Sequence, residues 1–178
     1  PLFSQYSRFT DDTVLTVAVA DSILKNIDYA TSLKTFGEKY PYAGYGASFF
    51  RWIISSDMKP YNSWGNGSAM RVSPVGFACA SIEDVLKEAK KSAEVTHNHP
   101  EGIKGAQAVA LAIFLARSGK NKAAIKAEIS HRFGYHMERR LDDIRPHYTF
   151  DVSCQGSVPE SIIAFLEGEN FEDTIRKG

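Results

Sequence analysis

The spacing of apolar residues along the chain is that of helices, and the alternating pattern of strands is almost absent. Apolar positions recur every three or four residues over three segments, which predict helices at 12–23, 82–95 and 103–117. The third segment is apolar nearly all round, which is typical of a helix at the centre of a fold. Weaker patterns predict further helices around 42–54, 121–133 and 159–167 and a short one near 170–177.

Signals at the ends of these segments agree with the periodicity. Thr10 is a suitable N-cap for the first helix, and Ser81 with Asp84 has the layout of a capping box. Segments 57–67 and 142–158 are rich in Pro, Gly, Asn, Ser and Asp and predict loops. No repeat or internal linker is visible, so the pattern favours one all-α domain over residues 1–178, with more than half of its residues helical.

Composition excludes several classes of protein. The chain has 178 residues and 43% hydrophobic content, and its 21 basic and 21 acidic side chains cancel, so no net field favours nucleic acid. The most apolar run, 109–116, is too short to span a bilayer, and no signal peptide opens the sequence. Cys79 and Cys154 lack a metal-ligand spacing and fit a reducing cytoplasm, although a bridge between them stays open.

Thr10-Asp11-Asp12 is the first candidate for chemistry. Mg²⁺ takes oxygen ligands in a near-octahedral shell, and a hydroxyl beside two carboxylates at a helix start offers three of them from one turn. The alternative is a purely structural helix start, in which two acids complement the helix dipole.

Gly65-Asn66-Gly67-Ser68 is the second candidate. Glycines let the backbone come close to a ligand, and several N–H groups followed by a helix near Ser68 would suit a pyrophosphate. Asn-Gly is also a common tight turn, and the spacing is that of neither a Walker A loop nor a dinucleotide fingerprint. Arg71 could reach an anion or instead satisfy a nearby carboxylate or carbonyl.

The pair His97 and His99 is the third candidate. No carboxylate or third histidine stands at a spacing that would complete a zinc site. We therefore expect His97 to cap the preceding helix and to hydrogen-bond a ligand or a backbone oxygen.

These three motifs occur in an order that resembles the ADP-ribosylglycohydrolase family, the family of dinitrogenase reductase-activating glycohydrolase. Residues 9–13 are similar to its first metal motif, 64–76 to its Gly-Asn-Gly segment, and 96–110 to its Thr-His segment and following helix. Residues 148–165, with Ser153-Cys154 and Val158-Pro159-Glu160, resemble the stretch before the last family motif. The resemblance covers nearly the whole chain.

The resemblance implies an orthogonal helix bundle that hydrolyses ADP-ribosyl linkages with magnesium. The partner would be an ADP-ribosylated protein or a small ADP-ribosyl compound, with no membrane involved. Thr10, Asp11 and Asp12 would ligate metal in a site for two Mg²⁺ ions, and Asp11 and Asp12 would serve catalysis as ligands rather than as the base. The implied substrate-binding residues are Gly46, Gly65, Asn66, Gly67, Ser68 and His97.

Two parts of the family pattern do not occur within the 178 residues. These are a Gly-rich opening segment with an acid near the metal and a closing Gly-Gly-Asp-Ser-Asp-Thr motif. We therefore expect an incomplete domain that binds Mg²⁺ weakly and turns over slowly or not at all. The alternative is an inactive ADP-ribose-binding or structural relative of the same fold, and a third reading is an unrelated metal-dependent phosphohydrolase.

Overall fold

The computed structural model describes residues 1–178 and contains eleven helices. They are α1 (Asp11–Lys25), α2 (Tyr29–Lys39), α3 (Ala47–Ile54), α4 (Gly67–Met70), α5 (Ser73–Ala78), α6 (Ile82–Glu94), α7 (Pro100–Arg117), α8 (Lys122–Phe133), α9 (Leu141–Ile144), α10 (Cys154–Glu167) and α11 (Phe171–Lys177). The only β-pairing is an isolated antiparallel bridge between Gly65 and Ser153. Helices cover 63% of the chain, which confirms the predicted all-α fold.

Three of the predicted boundaries need correction. The helix expected around 42–54 begins only at Ala47, because Gly44 has a left-handed φ of 96° and Gly46 is the N-cap. The helix α10 begins at Cys154 rather than at Pro159, because the Ser153 hydroxyl accepts the Gly156 N–H at 3.0 Å and starts the helix earlier. The predicted loop 142–158 is therefore wrong at both ends, since the short α9 occupies its start.

Helix α2 was not predicted at all. Its apolar face is short, and only Ala30 and Leu33 of its apolar residues are fully buried. The carboxylate of Asp28 accepts the N–H groups of Ala30 and Thr31, so Asp28 is the capping signal that marked its start.

Helix α7 is the centre of the bundle, as its all-round apolarity predicts. It packs against α4, α5, α6, α8 and α10. Two of its glycines allow close approach of the segments that form the site: a Cβ on Gly102 would lie 2.7 Å from the Ser63 carbonyl oxygen, and one on Gly105 would lie 2.5 Å from Sγ of Cys154. The loop before α4 and the start of α10 therefore both rest directly on α7.

None of the eleven helices combines the length and the apolarity that crossing a bilayer requires. Cys79 and Cys154 are both free thiols, so the bridge that the sequence left open is not formed.

Candidate functional site

A single cleft of about 1070 Å³ joins residues that are far apart in the sequence. Its wall includes most of the predicted site residues, namely Asp11, Asp12, Gly46, Gly65, Asn66, Gly67 and His97. Thr10 and Ser68 do not belong to the cleft lining. The fold thus brings the predicted acidic motif, the glycine segment and the first histidine to one place.

The acidic pair lies at the start of α1 and is held there by the loop before α3. The Asp11 N–H donates to the Ala43 carbonyl at 2.8 Å. Burial raises the pKa of the Asp11 carboxyl, and the neighbouring Asp12 carboxylate raises it further. Thr10 occupies the N-cap position, but its side chain does not cap the helix and instead donates to Oδ2 of Asp12 at 3.1 Å.

These three residues fit part of a magnesium shell. Their oxygens are of the type that Mg²⁺ prefers, and a cation would relieve the repulsion that raises the pKa of Asp11. Nowhere in the chain do three or more His, Cys, Asp or Glu side chains converge in a way that could hold a metal ion. The chain therefore offers a set of three oxygen donors, which is fewer than a near-octahedral shell requires.

The glycine segment presents fewer free amides than the sequence predicted. The Gly65 N–H donates to Ser63 Oγ at 3.1 Å, and the Asn66 N–H donates to the Val152 carbonyl at 2.8 Å. Gly67 is the first residue of α4, so its N–H has no acceptor within the helix. Among these three residues, only the Gly67 amide is available to an anionic oxygen in the cleft.

The Asn66 side chain joins two segments of the cleft wall and does not simply face a ligand. Its Nδ2 donates to Ser157 Oγ at 3.1 Å and to the Asp151 carbonyl at 3.4 Å. Next to it, the Cys154 N–H donates to the Trp64 carbonyl at 3.0 Å. These bonds join the loop before α4 to the loop before α10.

Ser68 has a structural role in this conformation. It is completely buried, and its hydroxyl donates to the Gly102 carbonyl at 2.7 Å. Its side chain therefore links α4 to α7 and does not line the cleft, so a role of Ser68 in substrate binding stays a prediction.

His97 is 5% exposed and lines the cleft. Its Nδ1 lies 2.8 Å from Thr96 Oγ1, and a Cβ on Gly67 would lie 3.0 Å from its Nε2. Burial, followed by the nearby Arg71 charge, lowers the pKa of His97 to about 3, so its imidazole is neutral at physiological pH. Arg71 bonds a carbonyl, as one sequence alternative held, because its Nη2 donates to Ser92 O at 2.8 Å.

The cleft also has an aromatic part that the sequence patterns did not predict. Tyr61, Trp64 and Phe150 line it, and the Trp64 side chain is 47% exposed. An indole directly before the Gly-Asn-Gly segment is a signal that could have been recognised. Phe150, in contrast, lies far away in the sequence, inside a segment that predicts only a loop.

Comparisons with known proteins identify the family of the chain. The family model described as ADP-ribosylglycohydrolase matches residues 2–178. The chain is 33% identical to chicken ADP-ribosylhydrolase ARH3 over 144 residues, which is 69% of this chain and 39% of that protein. It is 32% identical to the human ADP-ribosylhydrolase ARH3 over 134 residues, which is 65% of this chain and 37% of that protein. The matched region thus spans well under half of the length of these relatives.

A solved structure described as an ADP-ribosylglycohydrolase-related protein complex has the same fold. The TM-score is 0.72 at 23% identity, and the match covers 96% of this chain and 63% of that one. With the family model matched over almost every residue, this chain belongs to the ADP-ribosylglycohydrolase family.

Proposed function

We propose that this chain forms part of an enzyme that hydrolyses ADP-ribosyl linkages with magnesium. The observation that carries the proposal is the meeting of Asp11, Asp12, Gly67 and His97 in one cleft. A volume of about 1070 Å³ is large enough for a dinucleotide-like ligand. Membership of the ADP-ribosylglycohydrolase family supports an ADP-ribosyl linkage as the bond that is cleaved.

The residues divide the cleft into three parts. The Gly67 amide and Nε2 of His97 would bind the pyrophosphate. The half-exposed Trp64 indole offers a face on which adenine can stack. The terminal ribose would then lie towards Asp11 and Asp12, where the bond to the acceptor is cleaved.

Thr10, Asp11 and Asp12 would hold magnesium, which when bound supplies Lewis-acid activation of water and orientation of the ribose hydroxyls. Carboxylates engaged as ligands are not available as proton acceptors. We therefore assign Asp11 and Asp12 to metal binding and not to the role of general base.

The acceptor could be arginine, serine, a nucleic-acid end or an acetyl group, in an ADP-ribosylated protein or a small ADP-ribosyl compound. The cytoplasmic location that the cysteines suggest stays a prediction.

A second function is favoured by one specific observation. Because Asp11 and Asp12 have no further acid beside them, the chain alone could bind ADP-ribose without turning it over. This is the inactive ADP-ribose-binding relative considered from the sequence.

Calorimetry with ADP-ribose and Mg²⁺, together with chromatographic detection of ADP-ribose released from ADP-ribosyl-serine peptide, ADP-ribosyl-arginine and O-acetyl-ADP-ribose, tests both functions. Binding with magnesium-dependent release supports hydrolysis, binding without release supports the second function, and absence of binding contradicts both. Trp64→Ala should weaken binding about tenfold or more. The matched control is Phe77→Ala, because Phe77 is also an exposed aromatic residue but lies outside the cleft.

A further inference from the structure

Arg71 is a buried cation without a carboxylate partner. The residue is completely buried, and Nε and Nη1 have no hydrogen-bond partner. The guanidinium lies 6.0 Å from the centre of the Phe49 ring. Burial lowers the pKa of Arg71 to about 10, so it keeps its charge at neutral pH. Burying a charge with two unsatisfied donors is costly, and the cost points to a task for this residue.

The one side chain that Arg71 hydrogen-bonds is Thr96. Nη2 of Arg71 donates to Thr96 Oγ1 at 2.8 Å, and the same oxygen lies 2.8 Å from Nδ1 of His97. Thr96 is completely buried, so water does not compete for these bonds. Arg71, Thr96 and His97 therefore form a continuous chain of polar groups beside the cleft, whose lining includes Arg71 and His97.

We propose that Arg71 is a positioning residue that, through Thr96, fixes the tautomer of His97. The cation donates to the threonine oxygen, the threonine hydroxyl donates to Nδ1, and the single imidazole proton stays on Nε2. His97 then presents a fixed N–H donor to an anionic oxygen in the cleft. That oxygen belongs to a pyrophosphate only if the proposed function is correct, whereas the tautomer is a property of the protein without ligand.

Electrostatics decides between the two possible directions of the bond. An Nδ1–H would point its positive end towards the Arg71 charge, while an Nδ1 lone pair faces that charge favourably. Tyr61 lies beside this network: burial raises the pKa of its hydroxyl, and the Arg71 charge, followed by the Thr96 side chain, lowers it. The Arg71 charge favours donation to His97, since only that direction leaves the Nδ1 lone pair facing it.

The other edge of the ring is placed for contact with a ligand. Nε2 makes no hydrogen bond within the chain, and it lies against Gly67, whose amide also has no acceptor. A donor on Nε2 and the Gly67 N–H would thus face the same part of the cleft. An acceptor on Nε2 would instead repel an anion bound to that amide.

Long-range proton–nitrogen NMR on the ¹⁵N-histidine-labelled 178-residue chain tests the tautomer directly, with His97 assigned through His97→Gln. We expect a single Nε2–H form in the parent. Thr96→Val removes the hydroxyl and should introduce a measurable fraction of the Nδ1–H form, while Thr96→Ser keeps the hydroxyl and the parent spectrum. Arg71→Met should behave like Thr96→Val, and Tyr61→Phe like the parent.

Three results would overturn the proposal: an Nδ1–H form in the parent, an unchanged tautomer in Thr96→Val, or an unchanged tautomer in folded Arg71→Met. If Arg71→Met does not fold, the comparison of Thr96→Val with Thr96→Ser still tests whether the Thr96 hydroxyl fixes the His97 tautomer. ADP-ribose affinity should fall about tenfold in Thr96→Val and stay within about twofold in Thr96→Ser. A parent chain that binds no ADP-ribose would contradict the proposed function alone, because the NMR result on the free protein stands independently.

Discussion

Gly67 and His97 are in contact at the wall of the cleft. A Cβ atom on Gly67 would lie 3.0 Å from Nε2 and 3.2 Å from Cε1 of His97. Both distances are shorter than the optimal separation of non-bonded atoms. Glycine at this position therefore lets the imidazole and the first turn of α4 share one surface, and any side chain there must displace the ring.

Gly67→Ala should lower both stability and ligand affinity. The added methyl group overpacks the contact, which costs about 1 kcal/mol or more of unfolding free energy. Displacement of His97 should weaken ADP-ribose binding about tenfold. Urea denaturation and calorimetry measure the two effects.

A double-mutant cycle separates the contact from other consequences of the alanine. In a His97→Ala background the ring is gone, so adding Gly67→Ala should cost much less stability than in the parent. Equal costs in both backgrounds would show that the contact with His97 is not the cause.

The fold could be predicted well where local signals and packing agree. The apolar periodicity of α7 and the Ser81 cap of α6 both marked real helices, and the Ser81 hydroxyl accepts the Asp84 N–H at 3.1 Å. Pro159 misled the prediction because proline is common in a first turn, whereas here it lies inside α10.

The candidate site was predictable by residue type but not by role. Nothing local to Asn66 shows that its amide reaches Ser157, because that contact joins residues 91 positions apart. The burial of Ser68 and Arg71 likewise depends on α7 packing over α4, which no pattern within 65–71 encodes.

His97 should make the chain sensitive to mild acid. Its pKa is lowered from 6.5 to about 3 in the folded state, so the folded protein holds it neutral while the unfolded chain can protonate it. The stability that the neutral His97 imidazole contributes is therefore present above the pKa of the unfolded state and is lost as the pH falls. Between about pH 7 and pH 5 the loss should be about 2 kcal/mol.

Denaturation of the parent and of His97→Gln across this pH window isolates the contribution, because the other histidines are common to both proteins. The difference in unfolding free energy between the two should shrink as the pH falls. A difference that does not change with pH would contradict the buried neutral imidazole.

The two cysteines should react at very different rates. Burial raises the pKa of the Cys154 thiol to about 11, and its Sγ donates to the Gly65 carbonyl at 3.2 Å. Burial also raises the pKa of Cys79, but this residue is only half-buried. Because the thiolate is the reactive form, iodoacetamide should modify Cys79 slowly and leave Cys154 untouched in the folded chain.

Intact mass spectrometry should show one adduct on the parent, none on Cys79→Ser, and two on the parent in denaturant. Early modification of Cys154 in the folded Cys79→Ser variant would show that α10 opens readily at its start.

The ionised Asp11 carboxylate should lower the free energy of unfolding at neutral pH when no cation is bound. Burial and the Asp12 carboxylate raise its folded pKa above the ordinary 3.8. An acid with a raised folded pKa stabilises the fold below its unfolded pKa, and that contribution is lost as the pH rises through the folded value. Asp11→Asn should therefore raise the melting temperature slightly at pH 7, and the gain should vanish at a pH below 3.8.

Bound Mg²⁺ should offset the destabilising effect of the ionised Asp11 carboxylate. Three oxygen donors from Thr10, Asp11 and Asp12 hold a cation weakly, so Mg²⁺ should stabilise the parent only at high concentration and should not stabilise Asp11→Asn. Asp142→Asn is the control, since this exposed acid lies at α9, outside the cleft, and the variant should respond to Mg²⁺ like the parent.

The rate of ADP-ribose release should distinguish a partial metal site from a complete one. We expect slow or no release of ADP-ribose by the 178 residues alone. A longer chain that supplies the closing motif should turn over, and Asp11→Asn should abolish that activity. Full magnesium-dependent turnover by the short chain would mean that another acid completes the shell. Asp151 would be the first acid to replace, because its neighbours Phe150 and Val152 line the cleft, whereas Asp142 and Asp143 lie outside it.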